Sequence, residues 1–394
     1  MKKLVEYILK ILAQRIVRRF NPKIIGITGS IGKTTTRACI SHVLKSEYRV
    51  LETIKNYNSE IGVPLSILEQ ETGKNILDWI KVLYKSFLKS FFCKEYYDVL
   101  VLEMGADKSG DIEYLTDIVS PDISVVTNVE HVHIENYGNS RDAIAKEKSM
   151  IINKTKKDGI CFVNYDNTYT HEMVKIRDNV FTFGFDKNAD FFAKDILSTI
   201  DGVSGTLISK NNKVDINCPL LFGKHSMYGI LIAYAIGIKM NIPIDSIKKS
   251  IKTFNPPKNR LSIIDGINKS KIIDSTYNAE PESMKAAINV LEEIGKDKNK
   301  IAFLGDMFEL GSFKKEAHEE MGKFLLEKNI DIVYFVGEAM KFAYNKYCGK
   351  KALHFNKTED ILRELPLLNE TNLVLVKGSR GMRMEKIIEK LRNP

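Results

Sequence analysis

The residues that most constrain this 394-residue chain are Gly26-Ile27-Thr28-Gly29-Ser30-Ile31-Gly32-Lys33-Thr34-Thr35. An apolar run, Lys23–Thr28, leads into a glycine-rich turn, and a helical pattern follows from about Lys33 to Leu44. Strand, turn and helix in that order suit a phosphate-binding loop. Backbone N–H groups around Gly29–Gly32 can point at phosphate oxygens, and the helix N-terminus adds a favourable dipole. In such a loop Lys33 reaches the β- and γ-phosphates, and the Thr34 hydroxyl ligates Mg2+. The strict spacing of the motif is not met, since its first glycine would fall on Ile27. The strand–turn–helix context carries the reading instead. A second Mg2+ ligand belongs at the carboxyl end of a neighbouring strand, and Glu103 closes the apolar run Asp98–Glu103.

The rest of the chain alternates between strand and helix. Asp98–Glu103 and Ile123–Thr127 are apolar β-type runs with helical patterns between them, which predicts an α/β domain with a mainly parallel sheet. From Gly159 to about Asn217 the segments GICFVN, VFTFGF and VSGTLIS predict a small antiparallel sheet attached to that domain. Residues 224–254 read as two helices, and Asn255-Pro256-Pro257 breaks the pattern because consecutive prolines cannot continue a helix. Alternation then restarts at Lys271–Asp274, Ile301–Leu304, Ile332–Val336 and Leu373–Val376, with helices between and after them, as in a Rossmann-like domain. The expected organisation is a basic amphipathic helix over 1–22, a central ATP-binding domain over 23–256 with a helical insert at about 70–97, and a C-terminal domain over 257–394.

Composition narrows the class. With 44% hydrophobic and 28% charged residues the chain is ordinary globular material, neither disordered nor collagen-like. No run of about 18 to 20 uncharged apolar residues exists to form a membrane span. The N-terminus lacks the clean apolar core of a signal peptide, which predicts a cytoplasmic protein. Cys39, Cys93, Cys161, Cys218 and Cys348 are widely spaced and form no CxxC pair, so neither a disulfide framework nor a structural zinc site is expected. His131 and His133 form an HxH pair without a third partner nearby. The net charge is +9, and residues 1–22 hold six basic side chains against Glu6 alone. Charge so concentrated argues against a nucleic-acid partner, which calls for a basic surface interleaved with aromatics.

Two segments are basic and amphipathic. In residues 4–16, Leu4, Ile8, Ile11 or Leu12, and Ile16 share a helical face, with Lys3, Lys10, Arg15 and Arg18 largely off it. In residues 76–92, Lys81, Lys85 and Lys89 fall four apart among bulky apolar residues. A membrane surface at the inner leaflet, a protein partner, or mutual packing of the two helices would each satisfy this pattern.

Several ordered motifs resemble the Mur ligases of peptidoglycan synthesis. They are TGSIGKTTT, Asn56-Tyr57-Asn58-Ser59-Glu60-Ile61-Gly62-Val63-Pro64, Glu103-Met104-Gly105-Ala106, and Thr127-Asn128 with His133-Ile134-Glu135-Asn136-Tyr137-Gly138. The C-terminal half is similar to the MurF type, the D-alanyl-D-alanine-adding branch, through the segments Asp274–Met284, Gly305–Gly311 and Lys377–Glu385. The resemblance spans about residues 23–394.

It implies an ATP-dependent ligase that phosphorylates a carboxylate to an acyl phosphate, which an amine then attacks. The acid would be of muramoyl-peptide type and the amine a dipeptide such as D-alanyl-D-alanine. By this resemblance, ATP is held by Gly29, Ser30, Ile31, Gly32, Lys33, Thr34, Thr35, Asn128, His225, Arg260, Asp274, Tyr277 and Asn278. Thr34 and Glu103 would hold one Mg2+, and His133 with a carbamylated Lys148 would help hold a second. Lys33, Lys148, His133 and Asp274 would serve catalysis, while Asn56, Asn58, Lys377, Ser379 and Arg380 would meet the substrates. From the residue pattern alone, a solvated helix lysine is the favoured reading of Lys148.

The chain departs from the family pattern in three places. Ser226 and Gly229 stand where asparagines usually follow the histidine, Met150 stands where Glu is frequent, and the phosphate loop arrives by residue 29. That early arrival predicts a chain without the N-terminal UDP-sugar-binding domain. Folylpolyglutamate synthase is a second ligase that fits the same outline, and a non-catalytic ATP-binding scaffold at the membrane surface is a reading of another class.

Overall fold

The computed structural model describes residues 2–53, 57–130, 134–348 and 351–392. Its first sheet has nine strands in the order Val50–Glu52, Val99–Glu103, Lys23–Thr28, Ile123–Val126, Ile160–Asn164, Val180–Gly184, Phe191–Thr199, Gly202–Ser209, Asn212–Cys218. The strand feeding the phosphate loop therefore lies between the strands that end at Glu103 and just before Thr127. Chain order reverses there, and in parallel sheets the crevice beyond the strand ends at such a point is where ligands bind. Ile27 sits opposite both Glu103 and Val125.

After the exposed Lys23 the strand is buried on both faces from Ile24 to Thr28, which is why it reads as an unbroken run. Alternate residues feed two cores. Ile25 and Ile27 join Val101 and Val125 beneath helices Lys33–Leu44, Met227–Lys239 and Ile244–Thr253. On the opposite face Ile24 joins Leu100, Leu102 and Val126 beneath Lys2–Phe20, Gly62–Leu68, Asp111–Ile118 and Arg141–Asn153.

The antiparallel strands form as an extension of this sheet. Ile160–Asn164 and Val180–Gly184 pair parallel within the main sheet, and only the last two pairings, beginning at Phe191–Thr199, are antiparallel. The helix Thr168–Glu172, between Ile160–Asn164 and Val180–Gly184, supplies part of the crossover that parallel pairing requires.

The N-terminal helix is turned relative to the face expected from its sequence. Val5, Leu9, Leu12, Ala13 and Ile16 are buried, whereas Leu4 and Ile11 face outward. The inserted helix Ile76–Phe92 packs beside it: the Arg15 guanidinium lies 3.7 Å from the Phe91 ring centre, and Arg19 donates to the Phe91 carbonyl at 2.9 Å.

The second sheet has the order Ser262–Asp265, Lys271–Ser275, Asn372–Lys377, Asn299–Gly305, Ile332–Val336, Ala352–Phe355. Only its first pair is antiparallel. Adjacent strands Lys271–Ser275 and Asn372–Lys377 bring the turn after Asp274 next to Lys377–Arg380.

Candidate active site

Gly29 and Gly32 make the loop possible. Gly29 has φ +140°, and a Cβ there would stand 2.0 Å from Thr127 Oγ1. Gly32 has φ +85° and is the residue from which the helix Lys33–Leu44 starts. Only glycine adopts such angles without steric cost. The loop is braced from the next strand end. Ile31 N–H donates to Asn128 Oδ1 at 2.8 Å, Ser30 N–H to the Asn128 carbonyl at 2.9 Å, and Thr127 Oγ1 to the Ile31 carbonyl at 2.7 Å. Lys33 Nζ turns back to donate to the carbonyls of Gly29 at 2.8 Å and Ser30 at 3.0 Å.

Thr34 and Glu103 meet as the strand register dictates. The Thr34 hydroxyl donates to Glu103 Oε2 at 2.9 Å, and Asn58 Nδ2 to Oε1 at 3.3 Å. Thr53 Oγ1 accepts from the Glu103 N–H at 2.7 Å. A buried carboxylate and a hydroxyl this close are hard oxygen donors of the kind Mg2+ takes.

Lys148 is only 4% exposed on the helix Arg141–Asn153. Burial, reinforced by the nearby Lys33 ammonium, pushes its pKa down to about 7. It is not a solvated helix lysine. Its neighbour Glu147 accepts from the N–H groups of Gly110 at 2.8 Å and Ile112 at 2.7 Å, which fixes the start of the adjoining helix.

The C-terminal half supplies the facing wall. Lys377 is buried, and desolvation lowers its pKa to about 8, with Arg260 adding to the shift against the opposing pull of Glu280. Its Nζ donates to the Asn278 carbonyl at 2.8 Å and to Ser275 Oγ at 3.2 Å. The Arg260 guanidinium stacks 4.0 Å from the Tyr277 ring centre. His225 is exposed on the cleft wall, yet desolvation by the protein around its ring pushes its pKa down to about 4, with Lys377 contributing.

Together these walls enclose a cleft of about 670 Å3. From the phosphate-loop side it takes Ser30 to Thr35, Asn58, Glu103 and Asn128; from the other it takes His225, Arg260, Tyr277, Asn278 and Lys377. Gly29 lies behind the loop against Thr127. Asp274 does not line the cleft: its Oδ1 accepts from the Thr276 N–H at 3.1 Å and hydroxyl at 2.8 Å, shaping the turn that presents Tyr277 and Asn278. Ser379 is buried beneath the wall, donating to the Ala279 carbonyl at 3.1 Å and accepting from the Phe308 N–H at 2.8 Å, and Arg380 is exposed. Asn56 and His133 lie outside the described residues.

Sequence reasoning gave no role to Glu130, Asn164, Tyr228 or Glu280, all of which line the cleft. Glu280 stood inside the recognised Asp274–Met284 segment and caps the helix Pro281–Ile294. The others lie on separate elements with no local pattern to mark them. Where the asparagines of the family pattern would stand, Ser226 Oγ donates to the Gly223 carbonyl at 2.6 Å. A Cβ on Gly229 would come 3.2 Å from Cys39 Sγ, so the helix packs closely there.

Comparison with known proteins gives the same picture. The Mur ligase middle domain matches residues 27–237, and the Mur ligase glutamate ligase domain matches residues 259–380. A UDP-N-acetylmuramoyl-tripeptide–D-alanyl-D-alanine ligase of Buchnera aphidicola is 33% identical over 96% of this chain and 77% of its own length. The MurF ligase of Thermotoga maritima, solved in complex with ADP, superimposes with a TM-score of 0.83 at 26% identity, covering 98% of this chain and 83% of that one. A folylpolyglutamate synthase from Thermotoga maritima, at 16% identity and a TM-score of 0.65 over 98% of this chain and 93% of that one, shares the fold alone. The protein is thus an ATP-dependent ligase. It belongs to the Mur ligase family, on the MurF-type branch.

Proposed function

We propose that this chain joins the carboxylate of a muramoyl-peptide-type acid to the amine of a D-amino-acid dipeptide such as D-alanyl-D-alanine, with ATP giving ADP and phosphate, in the cytoplasm. One observation carries the reading: Lys33 and the Thr34–Glu103 pair face Arg260 and Lys377 across a single cleft. The reaction must bring an anionic carboxylate onto an anionic γ-phosphate, and preorganised cations lower the cost of that approach. A carboxylate oxygen bonds to the γ-phosphorus as the bond to ADP breaks. The amine nitrogen then attacks the acyl carbon, phosphate leaves, and the nitrogen gives its proton to solvent.

The loop amides and Lys33 hold the phosphates. Thr34 and Glu103 are the residues that would hold Mg2+, with Asn58 steering the second carboxylate oxygen. Mg2+, when bound, neutralises and orients the phosphate oxygens. Lys148 fits a carbamylated lysine, because only a neutral amine takes up CO2 and burial has brought this one close to neutrality. By family resemblance His133 would stand with it. His225, Arg260, Tyr277 and Asn278 would hold the nucleotide, and Lys377 and Arg380 would receive the carboxylate of the incoming dipeptide.

Phosphate release from ATP, measured with muramoyl tripeptides in free, UDP-linked and lipid-linked form and with D-alanyl-D-alanine, tests the assignment. Release that requires both an acid and the dipeptide supports it. Release independent of the amine, or absent with all three acids, overturns it.

A further inference from the structure

The inserted helix Ile76–Phe92 is built inside out. Its inward side carries the small residues Ser86 and Ser90 with Trp79, Val82 and Leu83, while Lys89 is tied to the body through an ion pair with Glu69. Its outward side carries Ile76, Leu77, Ile80, Tyr84, Phe87 and Phe91, which at 100° per residue occupy one continuous arc. Leu77 is 69% exposed, Tyr84 63% and Ile80 58%. Leu4, Tyr7 and Ile11 of the adjoining N-terminal helix add a second exposed apolar stripe. Two exposed apolar stripes on neighbouring helices mark an interaction site.

What it meets is indicated by the rim. Lys81 and Lys85 border the apolar arc of the inserted helix, and Lys3, Arg15 and Arg18 are exposed on the N-terminal helix. Among the described residues, none of Lys3, Arg18, Lys81 and Lys85 has an acidic partner. Exposed aliphatic and aromatic residues edged by unpaired cations are the composition of a helix that lies in a lipid headgroup layer. Among the described residues no helix is long and apolar enough to cross a membrane, so contact would be in the plane of the surface.

We infer that the outward face of Ile76–Phe92, together with the outer stripe of Lys2–Phe20, docks on an anionic lipid surface. None of the residues named on this face lines the cleft, and the inference does not rest on the substrates proposed above.

Co-sedimentation of the full chain with vesicles of phosphatidylglycerol and phosphatidylcholine, against phosphatidylcholine alone, tests this at low and high salt. Binding should need the anionic lipid and weaken with salt. Each cation near an anionic leaflet changes partitioning about fivefold, so Lys81→Gln with Lys85→Gln should weaken binding roughly 25-fold. Ile80→Glu with Phe87→Glu should abolish it, with the circular dichroism spectrum and ATP-dependent phosphate release unchanged. Failure of the wild-type chain to bind anionic vesicles overturns the inference, as does binding that both double variants leave intact. A concentration-dependent dimer that Ile80→Glu with Phe87→Glu dissociates, seen without vesicle binding, would reassign the face to self-association.

Discussion

Thr34 Oγ1 lies 2.9 Å from Glu103 Oε2, which ties the first turn of the phosphate-loop helix to the end of the neighbouring strand. Two residues 69 positions apart in the chain thus form one oxygen pair in the lining of the cleft. Thr34→Val keeps the shape and removes the oxygen. Phosphate release should fall about a hundredfold, as for loss of one preorganised electrostatic contact, and the Mg2+ concentration needed for half-maximal rate should rise. Thr34→Ser should restore most of the activity. Titration of Mg2+ against initial rate reads both effects, and a fully active valine variant would detach Thr34 from metal binding.

Lys33→Ala removes a cation that also bonds two loop carbonyls. ATP-dependent ligation should drop by a factor of about a hundred to a thousand. The fold should persist, with a melting temperature within about 3 °C of wild type, because no core packing is lost. Single-turnover phosphate release and calorimetry separate the two outcomes.

Gly29→Ala places a methyl group against Thr127 Oγ1 in a backbone region that alanine avoids. Strain of this type costs about 1–3 kcal/mol, so urea unfolding should show a lower midpoint at unchanged slope. Nucleotide affinity should fall with it, since the loop must open to make room. An unaltered midpoint would mean the loop adopts another shape in solution.

Lys148 ties stability to pH. Burial holds its pKa near 7, below its ordinary 10.5, so between those values the unfolded chain binds a proton that the folded chain does not. Stability therefore rises with pH through that window, and the burial penalty is felt in full below about pH 7. In bicarbonate-free buffer Lys148→Met should raise the melting temperature most at low pH, with the gain fading as pH approaches 10.5. With 13C-bicarbonate above neutrality, the wild-type chain should give a carbamate carbon signal that Lys148→Ala lacks. Lys148→Ala should be nearly inactive and partly rescued by short carboxylates. No signal and full activity in that variant would remove the carbamate from the mechanism.

What could be read from the sequence was what neighbouring residues decide among themselves. The phosphate loop is ten consecutive residues, and Glu103 ends a run whose burial on both faces shows in its composition. Strand direction was harder to read. Ile160–Asn164 and Val180–Gly184 look alike in either pairing, and their parallel direction depends on the partner strand and crossover. The N-terminal helix carries two overlapping stripes of helical period, Leu4–Ile8–Ile11 and Val5–Leu9–Leu12–Ile16, and only the surface beneath it selects between them. The burial of Lys148 left no local trace, because its surroundings come from residues such as Lys33 and Glu280 far along the chain. The motif places Asp274 at the nucleotide and in catalysis, whereas its part in forming the Thr276 turn is visible only with the backbone in place.

The two hydrogen bonds from Lys33 to its own loop have a thermodynamic corollary. A side chain that already fastens the carbonyls of Gly29 and Ser30 leaves the loop ordered by internal contacts, so a nucleotide meets a shaped receptor rather than a pliable one. Association then exchanges one set of polar partners for another and surrenders little chain entropy. Its heat should follow the charge rearrangement around the lysine more closely than any folding of the loop.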